Sequence, residues 1–503
     1  MIKGTRRMIR LIATALVTSN LLVTGIPGYR INAYAAETMD ASTYLGQSKY
    51  RVTEKIEDGA ILQAWCWSFN TIKENMAQIA DSGFSAIQTS PANTCVSKYP
   101  NMKLMGDNAN GTDGAWWWHY QPTDWKIGNY QLGTREEFKA MCDEADKYRI
   151  KVIVDVVPNH TTPMFDLVSD DLKNAAGGID KLYHKNGFQP IENWYDRCQA
   201  VTASLGGLPD VNTENPGFQK YFLNYLNDCI ECGADGFRYD SAKHIGLPSD
   251  PLDPNSEKNN FWPVVTGQES VDGISLKDSD RIFNYGEILQ DANVKETEYS
   301  EYIRETASNY SSILRNAILN KDFSTRRIGN YCNPVDPSKL ITFVESHDTY
   351  CNIGESAGLT DWQIRMAWAV ISARKDGTPV FYSRPAGSSG LSNRWGNNVI
   401  GARGNYQFKD REIVAVNRFR NAMVGESEYL RNINGSSQIL AIERGNKGEV
   451  IINLGGAVFI NDDTNLADGV YKDEVSSGIF TVSDGKISGQ LQAGKIVVLC
   501  KPE

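Results

Sequence analysis

The chain has 503 residues, of which 41% are hydrophobic and 22% charged. It can therefore fold into a large domain with a smaller one, and it is not of a disordered class. It carries 51 basic and 61 acidic side chains, a formal net charge of −10, which argues against nucleic acid and anionic membranes as partners. The nine cysteines have no regular spacing and predict no disulfide framework.

The first 35 residues have the pattern of an export signal. Four basic residues among the first ten precede the apolar run Leu11–Ile26, and Ala33-Tyr34-Ala35 follows as a small-x-small cleavage site. The alternative is a membrane anchor, but polar residues interrupt the apolar run. We therefore expect a signal peptide at 1–35, a secreted extracellular protein, and no membrane association after cleavage.

Apolar, β-rich runs alternate with helical patterns along most of the chain. Ile72, Met76 and Ile79 recur at helical spacing, and Thr134 with Glu137 three residues on forms a capping box that opens another helix. Eight runs are candidate strands, at 61–67, 85–91, 151–157, 234–240, 281–287, 302–308 (the weakest), 339–345 and 378–385. Eight strand–helix units favour a closed (β/α)8 TIM barrel over an open sheet.

Two stretches depart from this alternation. Residues 161–212 have weak periodicity and are too many for a simple connection, so they predict a small inserted domain B after the third strand. The last barrel helix is predicted at 411–425, and beyond it short strands alternate with Gly, Asn and Asp turns. We therefore predict a barrel over 45–160 and 213–425 and a C-terminal all-β sandwich over 426–503.

Three carboxylates directly follow predicted strands: Asp240, Glu287 and Asp348. Parallel barrel strands bring their C-terminal ends to one face, where such barrels hold their active sites. Cleavage of a glycosidic bond requires one acid for the leaving oxygen and one carboxylate for the sugar carbon. Any one of these residues alone would be a common helix cap or turn former. That interpretation weakens because a further strand ends in the polar cluster of DVVPNH (155–160).

The motifs resemble those of the glycoside hydrolase α-amylase family, and in particular the secreted bacterial enzymes of its subtilis-type saccharifying branch. DVVPNH (155–160), GFRYDSAKH (236–244), GEIL (286–289) and ESHD (345–348) stand in the family's order. The resemblance extends from about residue 45 to the C-terminus. It implies endo-hydrolysis of α-1,4-glucosidic bonds in starch, glycogen and maltooligosaccharides by a retaining double displacement.

The resemblance also assigns roles to residues. Asp240 matches the family's nucleophile, Glu287 its general acid/base and Asp348 its third carboxylate, and Arg238 matches the residue that orients the nucleophile. Aromatic rings suit the apolar faces of sugars, although core packing is the alternative for one tryptophan of WWWHYQP. The further substrate-binding candidates are Trp116, Trp117, Tyr120, Gln121, His160, Lys243, His244 and His347.

For calcium, the resemblance implies side-chain ligands from Asn159 and Asp210 and the backbone carbonyl of His244. A further carbonyl is expected from Val201, with the adjacent Thr202 as the alternative. Such oxygen donors suit a hard cation, whereas loop hydrogen bonding is the ordinary interpretation of the same residues. His184 lies in the inserted segment and receives no role.

The expected partner is an α-glucan polysaccharide, and we expect a monomer. Two other functions remain open at this point. A transglycosylase or debranching enzyme could use the same scaffold, because the same intermediate can pass to water or to a sugar. A non-catalytic glucan-binding protein is the other, but a pure binder would not need all three carboxylates.

Overall fold

The computed structural model describes residues 52–96, 103–106, 114–291, 293–352 and 354–501. The expected signal peptide and residues 45–51 of the predicted barrel lie outside these ranges. None of the helices in the described part of the chain combines the length and apolar character that crossing a membrane would need.

Eight parallel strands close into a barrel, in which β1 pairs with β2 on one side and with β10 on the other. Two further strands, β3 and β4, lie outside the barrel and form an antiparallel pair. This confirms the eight predicted strands, including the weak one. The strands are β1 (Ile61–Ala64), β2 (Ala86–Thr89), β3 (Asn93–Cys95), β4 (Pro122–Ile127), β5 (Lys151–Val156), β6 (Gly236–Tyr239), β7 (Phe283–Gly286), β8 (Arg304–Thr306), β9 (Leu340–Phe343) and β10 (Thr378–Tyr382).

The barrel strands are apolar on both faces because each face packs against a different layer. Side chains such as Ile61, Ile153 and Ile341 point inward and fill the barrel. The alternate side chains, such as Leu62 and Phe237, belong to the larger cluster that includes the surrounding helices. The two sets of side chains alternate along each strand, and the three candidate carboxylates follow directly after strands or close to their ends.

The helices follow the predicted pattern. Ile72, Met76 and Ile79 are fully buried, and the capping box is present: Glu137 donates its N–H to Thr134 Oγ1 at 3.3 Å and accepts the Thr134 N–H at 2.9 Å. The helices are α1 (Phe69–Asp81), α2 (Arg135–Lys147), α3 (Asp170–Ala175), α4 (Ile179–Leu182), α5 (Arg197–Thr202), α6 (Pro216–Cys232), α7 (Phe261–Val265), α8 (Glu296–Tyr299), α9 (Ser308–Leu319), α10 (Thr325–Ile328), α11 (Asp361–Ala373) and α12 (Arg411–Ala422).

The segment between β5 and α6 contains the three short helices α3, α4 and α5 and a 3-10 turn at Phe165–Leu167. The isolated bridge His160–Asp210 joins its end to the residues that follow β5, and the bridge Tyr183–Val211 joins two parts of the segment itself. Its long excursion after the third barrel strand is therefore as expected. The exact limits of a separate domain B stay a prediction.

The C-terminal region is all-β and forms two four-stranded antiparallel sheets that share one apolar core. The strands β11 and β17 were not expected from the sequence, because β11 is largely polar and β17 contains Gly489. That glycine leaves room for the ring of Phe480, which a Cβ would strike. The first sheet contains β11 (Glu428–Asn432), β12 (Ile439–Arg444), β13 (Gly448–Asn453) and β18 (Ile496–Cys500), and the second β14 (Val458–Asp463), β15 (Gly469–Lys472), β16 (Ile479–Ser483) and β17 (Lys486–Leu491).

All nine cysteines carry free thiols. Cys332 is exposed and Cys198 is half-buried, whereas the others are buried. The buried cysteines behave as the small core residues that their irregular spacing suggests.

Candidate active site

The three carboxylates meet at one end of the barrel. Asp240, Glu287 and Asp348 follow β6, β7 and β9 and line a single cavity of about 630 Å³. The backbone fixes two of them, since the N–H of Asp240 donates to the carbonyl of Val156 and that of Glu287 to the carbonyl of Tyr239, each at 2.9 Å. The parallel hydrogen bonding thus continues one residue beyond each strand and directs both carboxylates into the cavity.

Arg238 lies among these carboxylates and is only 4% exposed. Its Nη1 donates to Asp240 Oδ1 at 2.7 Å and to Asp155 Oδ1 at 2.9 Å. Its Nη2 forms an ion pair with Glu287 Oε2 at 2.9 Å. One planar guanidinium therefore sets the relative positions of the two principal carboxylates.

Ser241 joins the same two carboxylates from the backbone side. Its N–H donates to Glu287 Oε2 at 3.1 Å, and its hydroxyl donates to Asp240 Oδ2 at 2.9 Å. Its φ of 50° lies in the left-handed region, which serine adopts rarely and at some cost in energy. Sequence reasoning gave Ser241 no role, because only the fold reveals this conformation.

The lining of the cavity contains more carboxylates than guanidinium groups: Asp240, Glu287, Glu345, Asp348 and Glu355 against Arg238 and Arg315. Although 27% of the Asp348 side chain is open to the cavity, desolvation raises its pKa well above the usual value, and the charge of Glu287 raises it further. Burial likewise raises the pKa of Asp155 to about 7, against the opposing effect of Arg238. Neighbouring carboxylates of this kind cannot all ionise together.

A wall of neutral rings faces the carboxylates. The Tyr120 ring stacks on His347 with centroids 5.0 Å apart, and its hydroxyl donates to Asp155 Oδ2 at 3.0 Å. Burial lowers the pKa of His347 to about 3, so the ring is uncharged. Its Nδ1 lies 3.1 Å from Nε2 of Gln63; with the Gln63 amide assigned in this orientation, its NH₂ donates to Nδ1 and the ring proton is on Nε2. That nitrogen lies 3.5 Å from Asp348 Oδ2.

Ten of the predicted catalytic and substrate-binding residues line this cavity: Trp116, Trp117, Tyr120, Gln121, His160, Arg238, Asp240, Glu287, His347 and Asp348. Trp118 is instead 1% exposed and belongs to the core. Lys243 and His244 are not part of the lining. The ammonium of Lys243 is paired with Asp291, and the His244 ring donates from Nδ1 to the carbonyl of Ala200 at 2.8 Å. Their contact with sugar stays a prediction.

A buried ion pair between Glu345 and Arg384 supports the segment that follows β9. Arg384 donates to both oxygens of Glu345 at 2.7 Å, and it also donates to the carbonyls of Ser356 and Leu359, each at 3.0 Å. It therefore fastens both ends of the segment that carries Asp348. The motif ESHD drew attention to this region, but no local signal in the sequence links it to Arg384.

A family comparison agrees with this geometry. A model described as the alpha-amylase catalytic domain matches residues 70–355, which include all three carboxylates. The chain belongs to the alpha-amylase family. The narrower assignment to the subtilis-type branch stays a prediction.

Two curated relatives of this family are similar over most of the chain. The chain is 47% identical over 471 residues to an alpha-amylase of Butyrivibrio fibrisolvens, covering 89% of this chain and 47% of the relative. It is 37% identical over 468 residues to an alpha-amylase of Clostridium acetobutylicum, covering 91% and 56%. The chain thus spans about half the length of these curated relatives.

Solved structures share the fold. Alpha-amylase I from Eisenia fetida aligns with a TM-score of 0.66 and 19% identity, covering 90% of this chain and 98% of that one. The alpha-amylase from Geobacillus thermoleovorans, complexed with acarbose, aligns with a TM-score of 0.65 and 16% identity, covering 89% and 99%.

The alpha-amylase family implies a calcium ion, for which Asn159, Asp210 and the His244 carbonyl are the predicted ligands. Whether these residues suit the ion depends on which ring nitrogen of His160 carries a proton. As placed, the amide nitrogen of Asn159 lies 2.8 Å from Asp210 Oδ1 and 3.0 Å from the carbonyl oxygen of His244, and its oxygen lies 3.0 Å from Nδ1 of His160. However, His160 Nε2 lies 2.9 Å from the carbonyl oxygen of Tyr120 and must carry a proton. Burial lowers the pKa of His160, so the ring is neutral and Nδ1 is an acceptor.

The amide of Asn159 must therefore turn its NH₂ group toward His160, since the two ends of an amide are assigned from their hydrogen bonds. Its oxygen then faces the oxygens of Asp210 and His244, and three oxygens converge without a donor between them. Such an arrangement suits a hard cation. No cluster of three or more His, Cys, Asp or Glu side chains suited to a metal is found among the described residues, but this set contains only one carboxylate. Val201 lies in the last turn of α5 and is buried, and its role stays a prediction.

His184, which received no role from the sequence, lies beside Asp210. Its Nδ1 is 2.6 Å from Asp210 Oδ2 and its Nε2 is 2.6 Å from Glu214 Oε2. Although burial opposes it, the charge of Glu214 and the hydrogen bonds to both carboxylates raise the pKa of His184 to about 10. The partners lie 26 and 30 residues away in sequence, so no short motif could reveal them.

Proposed function

We propose that this protein is an endo-acting α-amylase that hydrolyses α-1,4-glucosidic bonds in starch, glycogen and maltooligosaccharides. The observation that carries the proposal is the contact of Arg238 with both Asp240 and Glu287 in a cavity that Asp348 also lines. A site for glycosidic cleavage needs these groups together: a nucleophile, an acid and a further carboxylate that meets positive charge at the sugar. Its relatives of the same family support the substrate class.

In the first step Asp240 attacks the anomeric carbon while the leaving oxygen takes a proton from Glu287. Hydrogen bonds from Arg238 and Ser241 hold the carboxylate of Asp240 in position for this attack. The product is a glycosyl-enzyme ester, and Glu287 is left as a carboxylate. In the second step Glu287 removes a proton from water, the water oxygen bonds to the anomeric carbon, and Asp240 leaves.

The spacing of the two carboxylates supports the retaining route. Each touches a different terminal nitrogen of the same guanidinium, which favours the short separation of about 5–5.5 Å over the wider gap of inverting enzymes. The α-configuration is then kept, because two displacements each invert the anomeric carbon.

Sugar binding is assigned to the ring wall and to Asp348. The faces of Tyr120 and the neighbouring Trp116 and Trp117 offer platforms for the apolar face of a glucose ring. The Nε2–H of His347 and the carboxyl of Asp348 offer one donor and one acceptor for hydroxyls at the edge of the ring.

The cation is proposed to be calcium, held by the side-chain oxygens of Asn159 and Asp210 and the carbonyl of His244, with Val201 as a further candidate. The ion would take no part in bond cleavage. Its effect would be to connect the inserted segment to the barrel. Because His244 lies four residues beyond Asp240, the same tie would steady the loop that carries the nucleophile.

We also propose that the protein is secreted, on the strength of the export pattern in its first 35 residues. The monomeric state stays a prediction from the sequence.

The direct test is to incubate the protein with soluble starch and to follow product size and anomeric form by NMR before mutarotation. An α-amylase releases short oligosaccharides in the α-form with a rapid fall in polymer size. A β-form first product would contradict the retaining mechanism. Longer or cyclic products without new reducing ends would indicate a transglycosylase, release of intact linear chains a debranching enzyme, and no product a binding protein.

A further inference from the structure

His184 is buried between two carboxylates next to the proposed calcium site. It is 3% exposed, and both of its ring nitrogens lie 2.6 Å from carboxylate oxygens, those of Asp210 and Glu214. Asp210 and Glu214 are themselves 1% and 5% exposed. A histidine with both nitrogens used in this way cannot also bind a metal through either of them.

The backbone holds this ring in place independently of its side-chain contacts. The N–H of His184 donates to the carbonyl of Asp210 at 3.2 Å, and the N–H of Asp210 donates to the carbonyl of Gly187 at 2.9 Å. The neighbouring residues Tyr183 and Val211 form a bridge. Backbone hydrogen bonds therefore join the two segments that carry His184 and Asp210, and they fix the position of the His184 ring relative to the Asp210 carboxylate.

Glu214 fixes the far side of the ring. Its Oε2 lies 2.6 Å from His184 Nε2, and its Oε1 accepts a hydrogen bond from the hydroxyl of Thr213 at 2.9 Å. The ring thus cannot turn away from Asp210 without leaving a buried carboxylate unpaired.

Asp210 consequently has two oxygens with separate partners. Oδ2 is taken by His184, whereas Oδ1 faces the side-chain amide of Asn159, at 2.8 Å. We propose that His184 is a positioning residue for the cation: by holding Oδ2 of Asp210 it presents Oδ1 to the other oxygens of the site. The inference rests on the proposed calcium site. Partners that orient a metal ligand in this way commonly change metal affinity by about 10–100-fold.

The test compares three substitutions at His184, of which one keeps the donor to Asp210, one keeps the donor to Glu214 and one keeps neither. In His184→Asn the side-chain NH₂ can take the position of Nδ1 and still donate to Asp210. In His184→Gln the NH₂ reaches only the position of Nε2, toward Glu214. His184→Ala keeps neither donor. Calcium affinity is measured on the folded protein by competition with a chromophoric chelator, and separately from melting temperature against free calcium.

We expect His184→Ala and His184→Gln to bind calcium about 10–100-fold more weakly than the parent, and His184→Asn to stay within a few-fold of it. The control is Ile451→Ala, at a fully buried position in the core of the C-terminal sheets. It should lower the melting temperature without changing calcium affinity. This control separates general destabilisation from a specific effect on the site.

The outcomes distinguish the two proposals. If the parent binds no calcium by competition and elemental analysis, the calcium site and the role of His184 are both wrong. If the parent binds calcium and His184→Gln binds it equally well, only the role of His184 is wrong. The same holds if His184→Asn binds as weakly as His184→Gln, because the donor to Asp210 would then be irrelevant. If His184→Ala does not fold, the comparison of His184→Asn with His184→Gln tests the role of His184.

Discussion

Arg238 contacts three carboxylates, those of Asp155, Asp240 and Glu287, with one planar group. Lysine keeps the charge but is a single point donor. We predict that Arg238→Lys lowers kcat/KM on maltooligosaccharides by about 10²-fold, because the nucleophile and the acid lose their common support. Steady-state kinetics at several pH values provides the measurement. Activity within a few-fold of the parent would show that the carboxylates are positioned without the guanidinium fork.

Asp348 gives the protein a pH-dependent cost in stability. Its folded pKa is raised above the unfolded value, so its contribution is fully favourable below the unfolded pKa of about 3.9 and is lost as pH rises through the folded pKa. Asp348→Asn removes this titration. We predict that the melting temperature of Asp348→Asn, relative to the parent, rises between pH 4 and pH 8. A difference that does not change with pH would contradict the assigned shift.

At this scale the sequence predicts groups whose partners are near in the chain. Arg238 and Asp240 belong to one motif, and Asp348 follows His347 directly. The pairs Glu345–Arg384 and His184–Glu214 join residues 39 and 30 positions apart. The sequence carries no local trace of them, because burial and geometry, rather than spacing, select these partners.

At the scale of elements, the pair of Glu345 and Arg384 anchors the segment after β9. Both side chains are almost fully buried, at 3% and 4% exposure. Removing one member leaves a buried charge without a partner, which typically costs about 3–5 kcal/mol. We predict that Arg384→Met destabilises the protein by this order and also lowers kcat, since the segment with His347 and Asp348 loses its support.

Chemical denaturation and kinetics on the same preparation check this prediction. The double variant Glu345→Gln/Arg384→Met serves as the matched control. Removing both charges should recover much of the stability, but it should not restore the position of the segment that carries His347 and Asp348. Full activity in Arg384→Met would show that Asp348 does not depend on the pair.

Regular elements are predictable here in proportion to their apolar pattern. The barrel strands are buried on both faces, so their sequences are largely continuous apolar runs. The start of α2 is predicted by its capping box. β11 and β17 lack that pattern: β11 has no fully buried residue, and β17 alternates exposed and buried side chains around Gly489. Their pairing partners, rather than their own residues, make them strands.

At the scale of the whole molecule, the proposed cation links the inserted segment to the barrel. Asn159 follows β5, Asp210 closes the inserted segment and His244 follows β6, so one ion would join three separate parts of the chain. We predict that a chelator lowers the melting temperature, that calcium restores it by mass action, and that Asp210→Ala weakens both responses. A melting curve unmoved by the chelator, with no bound metal in elemental analysis, would contradict the prediction.

The alternation of strands and helices was sufficient to predict the barrel, and the carboxylates after the strands were sufficient to predict the end at which they meet. The limits of domain B depend on long-range contacts of short helices, and the sequence shows these only as a loss of periodicity. The chain spans about half the length of its curated relatives, so the proposals concern the activity of the part that contains the barrel and the C-terminal sheets.

The most direct measurement is the turnover of soluble starch by Asp240→Asn, with the parent and a circular-dichroism melt of both proteins beside it. The substitution is nearly isosteric but removes the nucleophile, so the covalent route is closed. We predict an intact fold and the loss of starch hydrolysis. An Asp240→Asn protein that folds and still hydrolyses starch within a few-fold of the parent rate would contradict the assignment of Asp240 and, with it, the proposed mechanism.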